Sequence, residues 1–297
     1  MKNKHFSLLG LIVSGLMFTA VASCEKMTVG GSAKDSVDDQ DANVEICIRS
    51  YELQPFNMTR ADVANTCTKL CFHVYNDDGE KIKYVNQKLE DNKFGNASFS
   101  LPKGHYYLIV VGHSAAKNPS FYANEKVTIS GDDLGDTFWC VKELEVGDDK
   151  IKDSLSLRRI VSMLRFIPTD TVPENLNQMI YRWNGSKGTF DGLTGYGSTK
   201  TSQYITQSVS ADDSDFSFYM IPSSDRDSLD LKIEAYYIDD EGEINSLREK
   251  NISKIPVQRN RITICRGKLF DNKSSNQSVG FKIDVIDTWG SNILVDL

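Results

Sequence analysis

Leu229-Asp-Leu231-Lys-Ile233-Glu-Ala235-Tyr-Tyr237 sets an apolar residue at every second position with polar residues between them. Successive side chains of an extended chain point to opposite faces, so this segment has one face for a core and one for water. The same period of two runs through Val44-Glu-Ile46-Cys-Ile48-Arg49 and through the stretch from Thr68 to Val74. Helical spacing is scarce by comparison. Pro173-Glu-Asn-Leu-Asn-Gln-Met179 reads either as a short helix with proline at an early position or as a turn. Clusters of Asn, Asp and Gly interrupt the alternating runs at short intervals, the pattern expected of antiparallel sandwiches. The expected fold class is therefore all-β.

Outward from that stretch, the chain reads as two sandwich units. Val74-Tyr-Asn-Asp-Asp-Gly79 and Tyr236-Tyr-Ile-Asp-Asp-Glu-Gly242 are both aromatic strand ends that enter acidic turns. Ser98-Phe-Ser-Leu-Pro102 and Ser217-Phe-Tyr-Met-Ile-Pro222 each precede a strong strand. Because these pieces recur in a different order, the expectation is similar architecture in both halves without strict duplication. Gly147-Asp-Asp-Lys-Ile-Lys-Asp153 is the expected boundary, ahead of a strand-like run from Leu157 to Ile167. That gives an N-terminal sandwich over 44–152 and a C-terminal one over 153–297.

Before them lies an address. Lys2 and Lys4 form a basic start, Phe6 to Ala22 an apolar run, and Val21-Ala22-Ser23-Cys24 puts a cysteine directly after small residues. This order marks an export signal over 1–23 with Cys24 as the lipid-attachment residue. Each buried CH₂ of an acyl chain contributes about 0.8 kcal/mol, so two or three chains on Cys24 would hold the protein to a membrane without spanning it. Residues 24–43, including the polar and acidic MTVGGSAKDSVDDQDAN stretch, read as a lipidated flexible tether.

The formal net charge of −7 and the lack of a dense basic patch argue against nucleic acid as a partner. With Cys24 reserved for lipid, Cys47, Cys67, Cys71, Cys140 and Cys265 remain, an odd number that cannot all pair within one chain. Cys67 and Cys71 lie roughly 13 Å apart if both sit on one strand, too far for a disulfide, and His73 alone does not complete a zinc set. No metal or cofactor site is expected. Ser114-Ala-Ala-Lys117 matches the Ser-x-x-Lys of penicillin-recognising enzymes but precedes Asn118-Pro119 and lacks the companion motifs. The glycines of Gly192-Leu-Thr-Gly195-Tyr-Gly197 lack the Gly-Lys-Ser/Thr ending of a phosphate loop. Asp77-Asp-Gly-Glu80 and Asp239-Asp-Glu-Gly-Glu243 are too short for calcium loops and read as hairpin turns. No catalytic residue emerges, so the chain is not read as an enzyme.

Several phrases together resemble the FimB-type fimbrial anchor family of Bacteroidales, relatives of the fimbrillins. The most specific is Ile255-Pro-Val-Gln-Arg259-Asn260-Arg261-Ile-Thr263-Ile-Cys-Arg-Gly267-Lys-Leu269-Phe270, with Arg-Asn-x-x-Thr followed by Gly-x-Leu, and Trp289-Gly290 follows late in the chain. Leu157-Arg-Arg159-Ile-Val-Ser-Met-Leu-Arg-Phe166 and Lys103-Gly104-His-Tyr-Tyr-Leu-Ile-Val-Val-Gly-His113 are similar to further phrases of that family. The resemblance implies two tandem transthyretin-like β-sandwich domains in an outer-membrane lipoprotein. It implies that the protein anchors or regulates a fimbria, with pilin subunits as partners and no catalysis. Polymerising relatives are cut by an arginine-directed protease, which leaves cleavage at Arg49 or Arg60 open. Asn292-Ile-Leu-Val-Asp-Leu297 reads either as the last strand of its own domain or as a donor strand. Two alternatives remain: a fimbrial tip or stalk subunit joined by strand exchange, and a surface glycan-binding lipoprotein with Trp139, Trp183 or Trp289 as platforms.

Overall fold

The computed structural model describes residues 34–35, 41–51, 67–130, 134–210, 213, 216–271 and 282–286. The strands of the first half are β1 (Lys34–Asp35), β2 (Val44–Tyr51), β3 (Lys69–Tyr75), β4 (Lys81–Lys88), β5 (Asn96–Phe99), β6 (Gly104–His113), β7 (Ser120–Ala123), β8 (Lys126–Thr128), β9 (Thr137–Val146) and β10 (Ile151–Arg159). Those of the second half are β11 (Ser162–Pro168), β12 (Leu176–Asn184), β13 (Thr189–Phe190), β14 (Ser202–Ser208), β15 (Phe216–Met220), β16 (Asp227–Ile238), β17 (Ile244–Val257), β18 (Ile262–Gly267) and β19 (Lys282–Ile286). No helix occurs among the described residues, so the chain is all-β. Pro173 opens a turn closed by the Leu176 amide on its carbonyl, and the residues after it extend as β12.

In the first half, β4-β3-β6-β9 packs over β10-β2-β5, and β10 belongs to both layers. Its beginning runs parallel to β2, while Arg158 and Arg159 pair with Trp139 and Phe138 of β9. Between the layers lie Val44, Ile46, Leu70, Phe72, Phe99, Leu108, Val110, Phe138 and Leu157, all essentially without solvent contact. In the second half, β14-β12-β16-β17 packs over β15-β11-β18-β19 around Phe166, Tyr181, Trp183, Phe218, Ile255 and Cys265. The opening stretch of β16 keeps its reading: Leu229, Leu231, Ile233 and Ala235 are buried, while Asp230 is exposed and Lys232 partly so.

The two halves share one strand order. β2, β3, β4, β5, β6, β9 and β10 correspond in turn to β11, β12, β14, β15, β16, β17 and β18, down to the parallel pairs β2–β10 and β11–β18. The architecture is similar in the two halves without strict duplication, since β7 and β8 of the first and β13 and β19 of the second have no counterpart. The acidic turn after Val74 joins β3 to β4, whereas the one after Tyr236 joins β16 to β17, so those similar phrases are not counterparts. The Pro102 and Pro222 phrases are counterparts, each leading from β5 or β15 into β6 or β16.

What the duplication adds in each half joins them. β7 and β8 are inserted before β9, β13 is inserted before β14, and the three form one small sheet in the order β13-β8-β7. Beneath it Ile109, Val111 and Trp139 from the first half meet Ile160, Val161, Phe190 and Ile221 from the second. The glycine loop threads this seam: the Trp139 indole N–H donates to the Gly192 carbonyl at 2.7 Å. A Cβ at Gly192 would collide with the Asn124 backbone oxygen and lie 2.7 Å from Ile109. At Gly195, φ is +69° and a Cβ would stand 2.8 Å from the Trp139 ring. The glycines serve close packing rather than phosphate.

Gly192→Ala should therefore destabilise the fold by about 1–3 kcal/mol through overpacking. Gly147→Ala, where an added Cβ meets nothing within 4 Å, should leave stability unchanged. Thermal denaturation of the two variants checks both expectations.

Candidate functional site

Cys24, Arg60, Trp289, Gly290 and the Asn292–Leu297 segment lie outside the described residues. The first described piece after Cys24 is β1, which pairs in parallel with the outer strand β4, Lys34 opposite Lys83 and Asp35 opposite Tyr84. The segment read as a tether thus includes a hydrogen-bonded contact with the fold. Near the other end, β19 pairs antiparallel with β18, from Ile262–Ile286 to Arg266–Lys282. Arg49 sits at an irregularity in β2, where the register with β10 shifts.

The phrase that carries the family resemblance gathers at the joint between the halves. Asn260 adopts φ +56°, a left-handed conformation that asparagine tolerates better than most residues. From there its amide donates to the Val161 carbonyl at 2.9 Å, and its side-chain oxygen accepts from Arg159 Nη1 at 2.7 Å. Arg159 is only 2 % exposed; its Nε and Nη2 donate to the two carboxylate oxygens of Asp136 at 2.6 and 2.7 Å, and its guanidinium lies 5.0 Å from the Phe138 ring centre. A buried guanidinium is tolerable because these donors are satisfied by a matching fork. Arg259 stacks on Tyr196 at 3.2 Å and donates to the Thr194 carbonyl, while the Tyr196 hydroxyl bonds Asp225. Thr263 donates to the Pro256 carbonyl, and the amides of Leu269 and Phe270 donate to Asp170. The run from Leu157 to Ile167 is not one strand: it breaks at Ile160–Val161, where the chain passes from one half to the other.

The titratable groups divide by burial. Cys67 lies 3.0 Å from the Tyr51 hydroxyl on the inner side of the first half, whereas Cys71 lies 3.7 Å from His113 Nε2. Burial pushes the Cys67 thiol up to about 11 and Cys71, Cys140 and Cys265 to about 12, so they remain protonated and poorly nucleophilic near neutrality. Burial lowers His73, stacked 3.6 Å from Phe121, to about 3, and His113 to about 4. His105 moves the other way, because its bond to Asp77 and the nearby Glu145 and Glu143 favour the imidazolium. Ser114 accepts a hydrogen bond from the Thr68 amide in a loop after β6. Trp139 and Trp183 are buried in cores, which removes both as exposed platforms. Tyr204, 57 % exposed, was missed because edge tyrosines in alternating strands carry no signal of their direction.

Fold and site together define a duplicated β-sandwich protein. The chain belongs to a family of unknown function, DUF6562, whose sequence pattern matches residues 36–294. No curated protein matches it in sequence. Among solved structures it is similar to the fimbrial anchor protein Mfa2 of Porphyromonas gingivalis, with 12 % identity over 84 % of this chain and 97 % of that one, at a TM-score of 0.44. The tip fimbrial protein Mfa3 of the same organism, solved with a C-terminal truncation, matches at 12 % identity over 82 % and 98 %, TM-score 0.41. A DUF1812 protein of Bacteroides thetaiotaomicron, described as a candidate polysaccharide-binding protein, matches at 11 % identity over 82 % and 95 %, TM-score 0.49.

The histidines provide a pH test. A histidine whose folded pKa lies below its unfolded value of about 6.5 binds more protons when unfolded, so His73 and His113 stabilise above that value and lose this contribution as pH falls toward 4 and 3. His105 has the opposite sign, its contribution present at low pH and lost as pH rises through its folded pKa. NMR titration should place the His105 midpoint above the other two, and Asp77→Asn should move it down.

Proposed function

We propose that this protein is a non-catalytic outer-membrane lipoprotein, held by acyl chains on Cys24, that anchors a fimbria or regulates its assembly. The observation that carries the reading is Val21-Ala22-Ser23-Cys24 behind a basic and apolar leader, which calls for export, acylation and retention in one sequence. The fimbrial part rests on the resemblance of the 255–270 phrase and its companions at 157–166 and 103–113. Division into sandwiches over 44–152 and 153–297 belongs to the same reading, with β10 (Ile151–Arg159) running across that boundary as a strand of the first half. The Arg159–Asp136–Asn260 lock suits an anchor, because a stiff joint passes load between partner and lipid instead of bending.

Pilin subunits are the expected partners, and unpaired strand edges are the natural place for a strand from another chain to add. Val44, Ile46 and Ile48, just ahead of Arg49, are buried in the first core. Cutting at Arg49 would strip them from it, so the anchor role keeps its N-terminus intact, whereas a tip or stalk subunit would lose it.

Cys24→Ala should move the protein from the membrane fraction to the soluble fraction with no change in thermal midpoint. Retention of the variant in membranes would defeat the lipid-anchor reading. Crosslinking in cells should capture a pilin, and deletion of the gene should alter fimbrial length or retention. A native N-terminus after Arg49 or Arg60, read by mass spectrometry, would transfer the protein to the tip or stalk class.

A further inference from the structure

The outer face of the second half carries chemistry that anchoring does not use. β12, β14, β16 and β17 turn Tyr181, Trp183, Ile205, Leu231 and Ile233 into the core. The alternate positions face outward, with Arg182 directly between Tyr204 of β14 and Lys232 of β16. Tyr204 lies on the edge strand of this sheet. The Arg182 guanidinium is 5.3 Å from its ring centre and the Lys187 ammonium 5.8 Å. These cations do not make a positive patch: Arg182 donates to Glu234 at 2.7 Å, and Lys232 pairs with Glu234 at 2.8 Å and Glu249 at 3.0 Å.

Two adjoining open troughs, of about 460 and 400 Å³, share Ser202. The first is lined by Tyr204, Lys187, Gln203 and Thr206. The second is lined by Asn184, Asp230, Asn251 and Ser253, with the apolar Trp183, Leu231 and Ile252 beneath them.

The geometry points to a binding site for a neutral polysaccharide, with Tyr204 as its stacking surface. A pyranose ring has an apolar face of C–H groups, slightly positive, and a rim of hydroxyls that both donate and accept. An aromatic face attracts the first, and a sugar stacked on Tyr204 takes the place of an Arg182 or Lys187 contact with the ring. The second needs donors and acceptors side by side, which Lys187, Asp230, Asn184 and Asn251 provide. A compact ligand would favour a deep, enclosed pocket. Two open troughs that meet at Ser202 suit successive units of a chain, and the local balance of three cations (Arg182, Lys187, Lys232) by three carboxylates (Asp230, Glu234, Glu249) gives no advantage to a polyanion.

The detergent-extracted full chain should be retarded in native gels containing at least one of dextran, laminarin, yeast mannan, arabinoxylan and soluble starch. Tyr204→Ala should weaken that retardation about tenfold, a loss of about 1.4 kcal/mol, while Tyr204→Phe retains it. Lys187→Ala is the second variant and should weaken it several-fold. Tyr122→Ala, an exposed tyrosine on another sheet, should bind as wild type. No retardation by any of the five polymers would overturn the proposal. So would equal binding by Tyr204→Ala, or binding confined to dextran sulfate or polygalacturonate and abolished by about 0.5 M salt. Sugar binding is read on solubilised protein whether or not Cys24 is acylated, so its failure is distinguishable from failure of the Cys24 anchor.

Discussion

The sheet formed by β3, β6 and β9 must be buried on both faces, and much of the rest of the molecule follows from that requirement. Leu70, Phe72, Leu108, Val110 and Phe138 point one way, while Ile109, Val111 and Trp139 point the other. A single opposing layer can cover only the first set. The second set is covered by material that a lone sandwich does not possess: the β13-β8-β7 sheet, the glycine loop and the start of the second half. Hydrophobic burial thus makes the joint an extension of the core, and the two halves are fastened by the same force that folds each of them.

Over this apolar seam sits a polar lock. Arg159 is almost fully buried, and its cost is offset by two bonds to Asp136 and one to Asn260. Burial supplies most of the affinity between the halves, while the directional bonds specify one arrangement of Ile160 and Val161 at the crossing. The residues Arg259, Asn260 and Thr263 that made the sequence resemble fimbrial anchors are here structural, each satisfying a backbone or side-chain partner near that crossing.

Legibility followed how local each signal was. The alternation of Leu229, Leu231 and Ile233 was readable because the period of two is set by the backbone and needs no partner. The acidic turns were readable for the same reason, with Gly79 and Gly242 in left-handed conformations that favour glycine. The duplication was legible only through the proline phrases, since the two similar acidic turns occupy different places in the repeat. The glycine loop looked like a failed phosphate site because the object its glycines approach, Trp139, lies more than fifty residues away in the chain.

By itself the sequence determined that the chain is all-β and where its strong strands and turns fall, because each of these depends on neighbours along the backbone. Tertiary structure decided which strands pair, that β10 serves both layers, that Trp139 and Trp183 are buried while Tyr204 is exposed, and that Arg159 finds Asp136 and Asn260. Those outcomes turn on which residues distant in sequence exclude water from one another, and a linear pattern that fixes the face of a strand carries no information about what will cover it.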